Sequence, residues 1–389
     1  NEVVTLDDRD LKFFGGYDSG YVTRDPLGDP TVITGNLSNA VLRFAGSVGP
    51  DTEVDGFRIT GGGGVTFGGI PYFAKYGGGI VLNGHSPTLR NLEVTGNAVG
   101  DGSTLGCGGG ILITNCSPVL ENVKVTGNSG IYGAGLFIYD ATPTLVDCEI
   151  SDNTVITGNL SHPPLGGGVH ILDSVVAMTD CTVSGHLDSQ DGGGVFVGGY
   201  NTSSSLDMTG GTVAGNTASV NGAGIYVTGG VLDMRGVTLD GNAKTASASF
   251  MHGGGLFATA ATVTLDSLVV TGNNAHIGAG LDLTTCTSAV VTNSVLSGNV
   301  AQFWGGGLNY DGNSAGSIDG NTFFGNDATF SGGGGIYLNA SSPAITNNIS
   351  AFNTGGVSNA NGMALLSAPS SISCNDVFGN AGADYSGQP

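Results

Sequence analysis

The chain has 389 residues, 72 of them glycine, and only 11% are charged, against about 25% in ordinary soluble domains. Its net charge of −21 comes from 31 acidic and 10 basic residues, none of the basic ones after Lys244. That balance excludes a phosphate-binding surface for nucleic acid and disfavours an anionic membrane. The glycine has no Gly-X-Y period, and 39% hydrophobic residues are too many for a disordered tail. No apolar stretch approaches the ~18 residues of a membrane span.

In chain order, residues 1–30 hold Asp7, Asp8, Asp10, Asp18, Asp25 and Asp29 and lack the rhythm that follows, which predicts an N-terminal cap. Residues 31–389 read as one repeat domain. Gly-x-Gly clusters open at Gly77, Gly108, Gly133, Gly166, Gly192, Gly222, Gly253, Gly278, Gly305 and Gly333, at intervals of 25 to 33 residues. Before nearly every cluster stands an asparagine: Asn97, Asn128, Asn153, Asn216, Asn242, Asn273, Asn299 and Asn326, with His186 in that place once. Asn353 and Asn380 continue the series. Three residues earlier lies an apolar position (Val94, Val125, Ile150, Val183, Val213, Leu239, Val270, Leu296, Phe323). Earlier still lies a second polar one: Asn91, Asn122, Asp147, Asp180, Asn293, Asn347. "VTGNSGIYGAGLFI" at 125–138 and "VTGNNAHIGAGLDL" at 270–283 state the unit in its shortest form.

Alternation in "GGGILIT" and "GGGIYLN" has the strand period of two, and no segment keeps a helical period. A unit of about 25 residues cannot bury its own apolar face and must stack on its neighbours. Stacking puts each repeat position in a vertical file: apolar files become core, and the Asn file hydrogen-bonds along the stack as a structural ladder.

The recurring "GGGI…N…VTGN" resembles the repeats of right-handed parallel β-helix proteins of the pectate-lyase-like superfold. The glycine clusters and "FFGN" (323–326) resemble repeat motifs of chlamydial polymorphic outer-membrane proteins, and "FFGGYDSGYVTRDP…PTVITG" (13–35) is similar to the start of secreted bacterial β-helix proteins. The resemblance implies an all-β, right-handed parallel β-helix solenoid of roughly eleven coils with an N-terminal cap. It implies no single function, because this fold hosts lyases, hydrolases, adhesins and phage spikes.

Insertions between Asn and Gly emerge on one side of such a stack, and the long ones are 65–76, 98–107, 154–165 and 243–252. Aromatics and histidines concentrate there, which makes Tyr72, Phe73, Tyr76, His162, His252 and Trp304 candidate ligand-binding residues. Asp188 and Asp191, beside His186, are the candidate carboxylate pair for glycoside hydrolysis; the competing reading is a solvated turn whose His replaces one ladder Asn. A lyase needs a cationic cluster, and Lys75, Arg90, Lys124, Arg235 and Lys244 form none in the sequence. No catalytic residue is assigned. Neither are metal ligands or a cofactor: His pairs in adjacent coils (162 with 186, 252 with 276) lack a ligand motif, and calcium at "VGDGST" or the acidic cap is the one candidate cation. An ice-binding Thr file is broken by Asp240 and Phe324. The six cysteines show no metal spacing; Cys148 and Cys181 share a repeat position and read as buried thiols, whereas a Cys107–Cys116 bridge stays open.

The chain starts at Asn1 without Met, as a mature or trimmed form would, and "NAGADYSGQP" shows no cap, which predicts a longer native chain or contact with a neighbouring molecule. The expectation is a secreted or cell-surface structural or adhesive protein that associates with copies of itself into a fibre or layer, with other surface proteins or with polysaccharide, and not with nucleic acid or a membrane interior. The alternative is a carbohydrate-active enzyme (polysaccharide lyase or glycoside hydrolase) or a glycan-binding module using the loop edge.

Overall fold

The computed structural model describes all residues except 1, 2, 8, 9, 21, 27, 47, 67, 69–73, 102, 103, 158–162, 188, 246–249, 314, 357–359, 388 and 389. The chain falls into two compact units, Asn1–Ser189 with Tyr200–Thr202 and Gln190–Gly199 with Ser203–Pro389. Each unit is a stack of short parallel strands in three files per coil. In the first unit these are exemplified by Ile111–Thr114, Val119–Glu121 and Lys124–Thr126, and in the second by Leu281–Thr284, Ser288–Thr292 and Val295–Ser297.

The third file carries the apolar repeat position in register. Val94, Val125, Ile150 and Val183 lie opposite one another in the first unit. Val213, Leu239, Val270, Leu296 and Phe323 do so in the second. All nine are buried. This file holds six strands in the first unit and seven in the second, starting at Thr31–Thr34, so coils precede the first glycine cluster. Within the stretch predicted to cap the stack, Val4–Leu6 already pairs with Leu42–Phe44 and Lys12–Phe14 with Glu53–Asp55, both in parallel. Those two strands are rungs.

Corners separate the strands because the backbone there takes positive φ. The second polar position is such a corner: Asn91, Asn122, Asp147, Asp180, Asn293 and Asn347 have φ of 48, 52, 52, 51, 51 and 56°. Asn and Asp recur there because, after Gly, they tolerate the left-handed region best. At Gly133 (φ 54°) an added Cβ would sit 2.0 Å from the carbonyl oxygen of Leu136. Gly133→Ala is therefore expected to cost about 3 kcal/mol, from left-handed strain plus overlap. Gly215→Asn, where φ is 62° and nothing lies within 4 Å, should cost under about 1 kcal/mol. Urea midpoints of the two variants check this.

Candidate ligand cleft of the second unit

Most polar repeat residues are committed to holding coils together. The Oδ1 of Asn128 accepts from the backbone N–H of Asn97 (3.1 Å) and from its Nδ2 (2.9 Å), while the Asn128 Nδ2 donates to the Val94 carbonyl (2.8 Å). Asn153 repeats the pattern toward Asn128 at 3.0 and 3.0 Å. In the second unit the ladder runs from Asn216 through Asn242, Asn273, Asn299, Asn326 and Asn353 to Asn380, where it ends on the Asp384 carboxylate. His186 occupies one rung with the same chemistry. Its Nδ1 faces the Asn153 N–H at 3.2 Å and its Nε2 faces the Ile150 carbonyl at 3.1 Å, an acceptor and a donor where Asn would supply them. Burial pushes this imidazole down to about 4. His186 is thus structural.

A second ladder escaped the repeat pattern. The Ser294 N–H donates to Asn321, Asn321 to Asn348, and Asn348 to Asn375, at 2.9 to 3.1 Å. Their file is the one that carries Leu92, Val123, Cys148 and Cys181 in the first unit, so its polar half was masked by its apolar half.

On the outward side of the first file the two units differ. In the first unit Val81, Leu112, Phe137 and His170 lie in register. They are covered by excursions carrying Tyr76, Cys107, Ile131 and Tyr132, which together form a satellite hydrophobic core. Tyr76, predicted as a ligand-binding residue, is fully buried there with its ring 6.4 Å from Phe137. It is core, because the insertion folds back onto its own coil instead of standing in solvent. Tyr72, Phe73, His162 and Asp188 lie outside the described residues.

In the second unit the equivalent file reads Phe196, Tyr226, Phe257, Asp282, Asn309, Tyr337. Tyr226 and Phe257 stack face to face, 5.2 Å apart at 4°. Beyond them the buried Asp282 carboxylate accepts from Thr284 Oγ1 (2.7 Å) and Asn309 Nδ2 (2.8 Å), and its other oxygen lies 2.7 Å from His252 Nδ1. The His252 side chain is 30% exposed. Burial disfavours its protonated form, but the hydrogen bond and charge of Asp282, with Asp311 beyond, outweigh this and hold it above the ordinary imidazole value.

Asp191 lies two coils from His252, in a row with Asn221, whose Nδ2 donates to it at 2.8 Å. Burial raises this carboxyl to about 6 despite that bond. Tyr226 is lifted first by burial and then by the nearby Asp191 charge. Asp311 is also raised, by burial ahead of the charge of Asp282, although Asn339 donates to it at 3.0 Å. Trp304 closes the far end against Phe303 (5.6 Å) and Tyr337 (5.9 Å). The cleft therefore offers half-buried aromatic faces, a hydrogen-bonding imidazole and carboxylates in two protonation regimes.

Of the sequence candidates, the structure gathers Asp191, His252 and Trp304 along one cleft; Asp188, the intended partner of Asp191, is outside the described residues. Sequence reasoning missed Asp282 and Asn309. Their signal was an Asp and an Asn inside otherwise apolar strands, with Asp282 standing where the twin repeat has Phe137. His276 accepts the Met251 N–H at 2.9 Å, a structural contact. Among the described residues no group of three or more His, Cys, Asp or Glu side chains is arranged to hold a metal ion. Three of the five cations weighed for a lyase are ion-paired: Arg90 with Glu53 and Glu121, Lys124 with Glu149, and Arg235 with Asp233. The cysteines are free thiols, and Cys107 stacks between Tyr76 and Tyr132 rather than beside Cys116.

Residues 78–249 match the family model of the right-handed β-helix region. No curated protein and no solved structure matches the chain. The fold is an all-β, right-handed parallel β-helix solenoid of roughly a dozen turns.

Proposed function

We propose that the chain is an extracellular adhesive or structural β-helix whose second-unit cleft recognises a polysaccharide. The observation that carries this reading is the replacement of the apolar outward file by Tyr226, Asp282, Asn309 and Tyr337, faced by His252 and Trp304. A chain that spends its other polar groups on inter-coil bonds keeps a hydrogen-bonding, aromatic surface here. Aromatic faces flanked by fixed polar groups suit sugar rings. The charge selects the sugar: Asp191, Asp282 and Asp311 line the site, and the second unit has only Arg235 and Lys244 as strong bases. Carboxylated sugars are repelled, so the ligand is a neutral or amino-sugar chain. An external location agrees with a low-charge surface rich in Ser, Thr, Asn and Gly.

Isothermal titration with neutral glucan, chitosan and galacturonate oligosaccharides tests this. Binding of the first or second is expected, with Trp304→Ala and His252→Ala each weakening it at least ~10-fold, as the loss of one buried contact implies. Preference for the galacturonate, or no binding to any, contradicts the reading.

One pair of observations favours a hydrolytic second reading. Asp191 is held near 6 and His252 is raised by Asp282, the separation of proton affinities that acid–base catalysis uses. Release of reducing ends, lost in Asp191→Asn, would establish it.

A further inference from the structure

We propose that Cys148 and Cys181 are the two halves of a disulfide that staples neighbouring coils of the first unit. Glu149 lies opposite Thr182 in parallel register, so the cysteines one residue earlier also face one another. The strand spacing of about 4.8 Å falls inside the Cα separation of about 4.4–6.8 Å that a disulfide spans. Each follows a left-handed corner residue, Asp147 (φ 52°) or Asp180 (φ 51°), so both side chains leave equivalent backbones in the same direction. Both are buried, and their thiols hydrogen-bond one another.

Leu92 and Val123 fill the same position in preceding coils, so packing alone does not call for cysteine. The other four cysteines have no such partner. Cys107 faces Tyr76 and Tyr132, the Cys116 carbonyl receives Thr142, the Cys286 N–H binds Asn313, and Cys374 is exposed. The location is also singular. Gly133 to Gly166 is the longest interval between glycine clusters, 33 residues, and the staple would close that coil. Cross-linking a longer excursion removes more freedom from the unfolded chain.

The chemistry is thiol–disulfide exchange with a small-molecule disulfide such as oxidised glutathione. One thiolate attacks the oxidant and forms a mixed disulfide, releasing one small thiol. The second thiolate displaces the other. Two S–H bonds are lost, one protein S–S bond forms, and the oxidant takes up two electrons and leaves as two thiols. Because both sulfurs are buried once the coils stack, the bond forms during folding and exchanges slowly afterwards.

The test is to refold the full chain from urea in oxidised and reduced glutathione, confirm its β circular dichroism, denature it and count alkylated cysteines by mass. Four of the six cysteines should alkylate, with the intact chain about 2 Da lighter and peptic peptides containing Cys148 and Cys181 joined. Tm should rise by about 5 °C over the reduced form. In Cys148→Ser all five remaining cysteines should alkylate. If refolding is incomplete, the same count is made on chain expressed into an oxidising compartment. Six alkylated cysteines in folded protein, or a bridge between any other pair, overturns the proposal.

Discussion

Replacing Asn273 by alanine is expected to lower stability by about 5 kcal/mol, measured as the shift in urea unfolding. The side chain accepts from the Asn242 N–H (2.9 Å) and Nδ2 (3.0 Å), and donates to Asn299 Oδ1 (3.0 Å) and the Leu239 carbonyl (3.0 Å). All of these groups are buried. Deletion leaves two donors and two acceptors without partners, and each such group costs about 1–3 kcal/mol when water cannot replace the bond. Asn273→Asp should be nearly as damaging, because it keeps the acceptors but loses both donated bonds and buries a charge. The neighbouring Asn274, whose Nδ2 reaches the Val300 carbonyl in an exposed setting, should change stability by less than about 0.5 kcal/mol when replaced by alanine. Equal effects at 273 and 274 would remove the ladder from the account.

The second large effect is acid lability of the first unit. His186 and His170 are both buried, and burial pushes each imidazole down to about 4, against backbone hydrogen bonds that favour the charged form. The unfolded chain titrates near 6.5, so between these values it binds protons that the folded chain does not. Stability is therefore intact above about 6.5 and falls as pH drops toward 4, by about 3 kcal/mol for each histidine. His252 has the opposite sign. Its raised pKa contributes stability that is present below 6.5 and lost as pH rises through the folded value, so it opposes the trend only weakly. His186→Asn should remove about half of the pH dependence while preserving the rung, because asparagine supplies the acceptor for Asn153 and the donor for Ile150. Urea midpoints from pH 7.5 to 4.5 for both chains check this. An unchanged slope in His186→Asn contradicts a buried, neutral His186.

The coil, its apolar file and the Asn ladder were legible because each recurs at one repeat position and stacking turns recurrence into contact. The second polar position was legible as polar but not as a corner, since only backbone geometry reveals that Asn91 and Asp147 are selected for positive φ. The ladder of Asn321, Asn348 and Asn375 was hidden because its file changes character along the chain. The candidate cleft was half legible. His252, Trp304 and Asp191 stood out as exceptions to the repeat, whereas Asp282 sits in one of its shortest copies, where function was not sought. The expectation that function lies in the insertions alone is thereby corrected: an apolar-to-acid exchange on a conserved-length coil aligns with the excursions above it. Tyr76 shows the converse, an insertion aromatic that packs its own loop.

Phe324, Phe352 and Phe378 form a separate outward row of aromatic rings, 5.6 and 5.7 Å apart, each about half exposed. Two of them occupy the repeat position that Thr95 and Thr126 hold in earlier coils, which is why no regular threonine plane exists on that face.

Amide hydrogen exchange at the ladder residues tests the central claim most directly. The backbone N–H groups of Asn97, Asn128, Asn242, Asn273, Asn299 and Asn326 each donate to the side chain of the next coil, at 2.9 to 3.1 Å. These amides should exchange as slowly as those of the adjoining strands, opening only with the coils themselves. Exchange at the rate of exposed loop amides in the native protein would mean that the asparagines do not bind coil to coil.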